Sequence, residues 1–264
     1  MQFCPQCGEE RLRPDDLGLR HLFAQFVKTT SSVDGKLMRT WRCLLTRPGQ
    51  LTAAHVSGER RRYLTPLALF FIGNALFVAV QSATDMNILS SPLSSHLHSQ
   101  DWSPLVQGLV KDRLTARHLT LDAYAPVFDR SALFNAKALI ILMALMFAPF
   151  PAFVFRSMHR PAGVHIVFAL HLYAFVLVVL SVSVLLAQAD VILGGEGLRS
   201  GVVDKSLSVF NLSVCGAFIY LAIPKVYQTS SWARAASTVI LTAALAVLFI
   251  GYRFAIFLIT FYTT

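Results

Sequence analysis

The chain has 264 residues, of which 55% are hydrophobic and only 14% charged, with a mean hydropathy of +0.58. That balance excludes an ordinary water-soluble domain and predicts an all-α integral membrane protein crossing the bilayer several times. The formal net charge of +9 gathers on one side of the expected spans, which points to anionic lipid headgroups as partners and to no nucleic acid.

The first element is the knuckle FCPQCG, in which Cys4 and Cys7 present two thiolates at zinc-ribbon spacing. A tetrahedral zinc site needs two further ligands, and the remaining cysteines, Cys43 and Cys215, stand alone. Three completions are open: two chains sharing one four-cysteine site as a homodimer, His21 or Cys43 supplying ligands, or another protein doing so. A fourth reading is a remnant that binds no metal. A redox role is disfavoured because no thioredoxin-like pattern surrounds the pair.

Residues 1–13 form this knuckle and its tail, and residues 14–62 read as cytoplasmic amphipathic helices lying in the membrane interface. Leu19, Leu22, Phe23, Phe26 and Val27 recur at helical spacing. After a turn at Asp34-Gly35, Leu37, Trp41, Leu44 and Leu45 are expected on one face with Lys36, Arg39, Arg42 and Arg47 around them, and a third short helix is expected from Gln50 to Val56. The alternative is a small helical domain packed on itself. Arg60, Arg61 and Arg62 then abut the membrane with Tyr63, as a topology anchor and as candidates for contact with anionic lipid.

Residues 63–264 form the polytopic domain. No secretory signal is expected, because the first long apolar run starts only at Leu64. About five transmembrane helices are predicted, near Leu64–Val80, Phe134–Phe155, Gly163–Ala187, Leu207–Ile223 and Ala236–Thr260. Residues 1–62 carry eleven Lys/Arg against six Asp/Glu, whereas 83–133 carry four against five. The positive-inside rule therefore makes the N-terminus cytoplasmic and the C-terminus external. The outside loop at about 83–133 should hold one or two surface helices over Trp102–Leu121, with His96, His98 and His118 as solvated histidines. The LGGEGLRSG loop reads as a flexible turn.

Ionisable groups in hydrocarbon are costly, so His165, His171 and Arg253 are the intramembrane candidates. His165 and His171 lie roughly 120° apart around one helix, so a shared metal would need another helix. His165 is expected near the interface, and His171, deeper, in an interhelical hydrogen bond. Arg253 must snorkel, meet water, bind an anion such as a lipid phosphate, or reach Asp190 or Asp204. No catalytic motif accompanies them, and the catalytic residues stay unknown. An outer-face site from Asp122, Asp129, His118 and Arg130 has no spacing in its favour.

FCPQCG, TWRCLLTRPGQL, SGERRRYLTPLALFF and VHIVFALHLYAF, in this order, resemble a bacterial membrane family known as domain-of-unknown-function family 3667. The resemblance implies a multi-pass protein of the bacterial inner membrane. Relatives often carry two knuckles, of which this one corresponds to the second. The activity of the family is not established, so the function rests on the residues. The favoured reading is a non-enzymatic transport, lipid-handling or membrane-assembly component. The alternative is an intramembrane enzyme on a lipid-like substrate, which requires His171 and Arg253 to converge on one cavity.

For the knuckle, zinc measured on protein purified without chelators should disappear in the Cys4→Ser/Cys7→Ser double variant. About half an equivalent per chain indicates a shared site, and about one equivalent indicates ligands such as His21 or Cys43. A metal-free preparation retires the site.

Overall fold

The computed structural model describes residues 35–59, 62–98, 100 and 102–264, and every regular element among them is helical. The knuckle, His21, the helix expected over 19–27, Arg60 and Arg61 lie outside the described residues. Helix α1 is described over 35–46 and is followed by α2 (Gln50–Val56), α3 (Pro66–Thr84), α4 (Leu93–His98) and α5 (Ser103–Arg117). The chain continues through α6 (Leu121–Ala138), α7 (Ile140–Phe147) and α8 (Pro149–Val154) to the long helices α9 (Ala162–Ile192), α10 (Gly201–Tyr227) and α11 (Ser231–Thr263).

Among the described residues, four helices, α3, α9, α10 and α11, are long and apolar enough to cross a membrane. A fifth span exists if Leu121–Ala138 and Ile140–Val154 count as one, although they meet at 48°. The second span therefore starts earlier than the Phe134–Phe155 segment expected and bends within it, not near its end at Pro149 and Pro151. Its break falls at Leu139, while Pro149 sits in the first turn of α8, where a missing N–H costs nothing. A bend exposes backbone acceptors that an apolar interior cannot leave unmet. The Tyr252 hydroxyl donates to the Ala136 carbonyl at 2.7 Å, one turn before the break.

Helix α9 is apolar on every side, and a helix of that kind must be enclosed. Of its most apolar window 78% is buried, against 28% in each of α3, α10 and α11, so α9 is the central mast; α3, α10, α7, α2 and α8 pack on it, and α11 joins the bundle through α10, α6, α7 and α8. Its small residues permit close approach. A Cβ built on Gly73 of α3 would lie 3.6 Å from the Ala174 carbonyl oxygen.

The basic helices of the N-terminal segment join this bundle. Thr40, Cys43 and Leu44 of α1 are buried, while Leu45, expected on the inward face, is 48% exposed. Gly35, expected in a turn, is already helical. Leu51, Thr52 and Ala54 of α2 are buried against α9 and α10. The turn between α1 and α2 places Gly49 at φ 79°, and a Cβ there would come within 2.7 Å of the Ala222 backbone on α10. At the other end of the bundle, α4 and α5 pack on α6 and α11. The Arg113 guanidinium lies 3.8 Å from the Phe261 ring centroid and donates to the Phe261 carbonyl.

Helix α10 is fully enclosed along only half its length. Its buried residues run from Cys215 to Tyr227, and none falls between Gly201 and Val214. The first half of α10 is therefore the more open one; it borders a fork with α11 while Asn211 holds it to Ser183 of α9.

Two glycines test the seating of α2. Gly49→Ala should lower stability by about 2 kcal/mol or more, since left-handed strain of roughly 1–2 kcal/mol is joined by a backbone clash. Gly58 also has positive φ, at 91°, but nothing lies within 4 Å of its added Cβ, so Gly58→Ala should show the strain alone. Denaturation midpoints of the two variants in one detergent check the difference.

Candidate functional site

Two interior cavities have polar linings. The larger, of about 320 Å³, fills the fork between α9, α10 and α11, a volume at the lower end of the roughly 300–1,000 Å³ usual for small-molecule sites. Val176, Val179 and Leu180 of α9 form its back wall, with Leu245 and Phe249 of α11 beside them, and Ile88 and Leu89 close it from the segment after α3. Ser208, Leu212 and Ile250 line the cavity and are themselves exposed. The cavity is therefore open at residues of α10 and α11.

Its polar groups are Ser208, Asn211 and Arg253. The Ser183 hydroxyl donates to Asn211 Oδ1 at 2.5 Å. Arg253 is partly buried, and its guanidinium donates to the Ile88 carbonyl at 3.0 Å. Asp190 does not serve as its partner; that carboxylate accepts from the Gly197 N–H at 2.9 Å. A guanidinium at the centre of a membrane helix costs about 2.5–3.5 kcal/mol on insertion scales, and a hydrogen bond from a charged group returns about 1.5–3 kcal/mol. The Ile88 contact thus offsets a large part of the cost of Arg253, and the polar lining of the fork adds to it.

The smaller cavity, of about 10 Å³, is lined by Leu51, His55, Glu59, Tyr63, Leu64 and His171, which is room for about one water. His171 is buried and shares a hydrogen bond of 2.9 Å between Nδ1 and the Thr52 hydroxyl. The expected interhelical bond exists, but its partner comes from α2. Here α2 also supplies the second histidine, His55, that a site at His171 would need. Among the described residues, though, no three His, Cys, Asp or Glu side chains are grouped to hold a metal ion. Cys43 is buried beside Tyr63, whose phenol is held above its ordinary range by burial and by that thiol.

His171 and Arg253 therefore line different cavities. His165, expected near the interface, is 4% exposed; it shares a 2.9 Å hydrogen bond with the Tyr227 hydroxyl and stacks on the same ring. Arg62 is exposed, 5.5 Å from the Tyr63 ring centroid. Of the other candidates, Asp129 accepts from the Leu93 N–H at 2.7 Å, while Asp122, Arg130 and His118 are exposed.

His96 was not legible as a buried group. Expected in solvent, it is 1% exposed, and its Nδ1 accepts from the Trp102 indole N–H at 3.1 Å. Burial and the nearby Arg253 charge lower its pKa from 6.5 to about 4. The unfolded chain therefore takes up a proton near pH 6.5 that the folded chain refuses, so stability should decline from about pH 6.5 to about 4 and level off below. Thermal midpoints across this range should show that slope in the parent and a shallower one in His96→Leu.

A family model described as "Protein of unknown function (DUF3667)" matches residues 34–78. No curated protein and no solved structure matches the chain. The matched segment carries the described part of α1, all of α2 and most of α3, and it includes Leu51, His55, Glu59, Tyr63 and Leu64 of the smaller cavity. Over that segment the chain is similar to a domain-of-unknown-function family of unassigned activity.

Proposed function

We propose that this polytopic membrane protein is a non-enzymatic lipid-handling component that takes an apolar chain from the bilayer into the fork between α10 and α11. The observation that carries the reading is a cavity open at exposed residues of α10 and α11, whose walls are aliphatic and aromatic and whose polar groups are Ser208, Asn211 and Arg253. Such a shape suits an amphiphile that enters laterally with its chain against α9 and its polar end near Arg253. In this reading Lys36, Arg39, Arg42, Arg47 and Arg62, all exposed, meet anionic headgroups on the cytoplasmic face of the bacterial inner membrane.

The enzymatic alternative asks His171 and Arg253 to act on one substrate. Their positions in separate cavities disfavour it, since acid/base groups must lie within hydrogen-bond reach of the reacting atoms. The knuckle at Cys4 and Cys7 enters the same proposal as a zinc half-site that a second copy completes.

Filling the fork tests the reading directly. Ala246 lines the cavity, so Ala246→Phe should occupy chain space while leaving Arg253 in place. Lipid retained through purification, extracted and quantified by mass spectrometry, should fall several-fold relative to the parent at unchanged thermal stability. Equal retention by the two proteins overturns the proposal.

A further inference from the structure

The lining of the fork narrows the chemistry of its occupant. Among the described residues, three side chains carry polar atoms other than sulfur there, and no Asp or Glu lines the cavity. Arg253 brings a permanent positive charge and five N–H donors, and one of its terminal nitrogens donates to Ile88. Asn211 has its Oδ1 engaged by Ser183, which leaves its amide N–H groups as the part available to a ligand. Ser208 adds a hydroxyl. The site therefore offers a cation and donors, and no anionic acceptor.

Resting on the fork as an amphiphile site, we propose that the occupant is an amphiphile whose headgroup is a net anion without an ammonium group: a phosphodiester bearing a neutral alcohol, or a carboxylate. Charge complementarity decides this. An anionic oxygen meets Arg253 in charge-assisted hydrogen bonds, about twice as strong as neutral ones. A zwitterionic headgroup brings an ammonium for which the described lining holds no carboxylate, and an unpaired charge beside low-dielectric walls is disfavoured. One chain enters and the remainder of the lipid stays in the bilayer, because the cavity is small and opens through Ser208, Leu212 and Ile250.

The full chain is reconstituted into vesicles of equal phosphatidylglycerol and phosphatidylethanolamine, extracted in mild detergent, and weighed by native mass spectrometry with retained lipid identified. Phosphatidylglycerol should be enriched about tenfold over phosphatidylethanolamine, and Arg253→Gln should remove the enrichment. Arg253→Lys keeps the charge and should keep most of the preference, so a glutamine variant that fails to assemble leaves a second reading of the site through Lys and through Asn211→Ala, which should weaken it.

Retention of both lipids in equal amounts, or an enrichment unchanged in both Arg253→Gln and Asn211→Ala, overturns the headgroup assignment while the fork still holds a chain. Retention of no lipid by the parent overturns the lipid-handling reading as well. Inorganic phosphate in neutral detergent separates the two sources of phosphate chemistry: little thermal stabilisation is expected, and a shift matching that given by phosphatidylglycerol overturns a lipid occupant.

Discussion

The structure depends on one enclosure. Helix α9 has no polar face, and its apolar window is 78% buried, so the remaining helices are arranged by how they cover it. Helix α3 runs along one side with Gly73 at Ala174, α10, α7 and α8 cover others, and α2 packs beside His171. A lipid tail could cover an apolar helix as well as another helix does, so what holds this packing is close fit and a few polar bonds rather than the hydrophobic effect. The Gly49–Ala222 approach and the Gly73–Ala174 approach are the clearest instances of close fit.

Four of the polar bonds tie the mast, or the bend beside it, to a neighbouring helix. His171 is tied to Thr52 on α2, His165 to Tyr227 on α10, Ser183 to Asn211 on α10, and Ala136 at the bend to Tyr252 on α11. In a medium without water these groups have few alternative partners, which gives the pairs their value in fixing register. Seen this way, two of the three ionisable groups singled out in the spans are fasteners. The third, Arg253, is different because a guanidinium cannot shed its charge, and its carbonyl partner is joined by the polar lining of the fork.

The fork and Arg253 belong together physically. The half of α10 from Gly201 to Val214 buries none of its residues, so it leaves space beside α9, and that space is where the charge of α11 lies. Closing the fork with apolar side chains would strand Arg253 in a dry interior. Holding it open leaves a cavity of about 320 Å³ beside that charge. The neighbouring segment contributes Ile88 and Leu89 as a cap, and beyond it His96 and Trp102 join α4 to the start of α5 while His96 packs 5.0 Å from the Phe257 ring.

Much of the architecture was legible in residue order. Long apolar runs marked α3, α9, α10 and α11, the Gln50–Val56 helix was placed between Gly49 and Gly58, and His171 and Arg253 stood out because ionisable groups are rare in such runs. These features depend on local composition, spacing and punctuation, which a linear sequence carries. What only the tertiary structure decided was pairing: that α2 enters the bundle to meet His171, that His171 and Arg253 face different cavities, that His96 is buried, and that the second span bends at Leu139. Periodicity records which residues avoid water, but in a chain this apolar nearly every face does so. The choice among faces is then made by shape and by the few polar groups that must find one another across helices, and neither is written within a single segment.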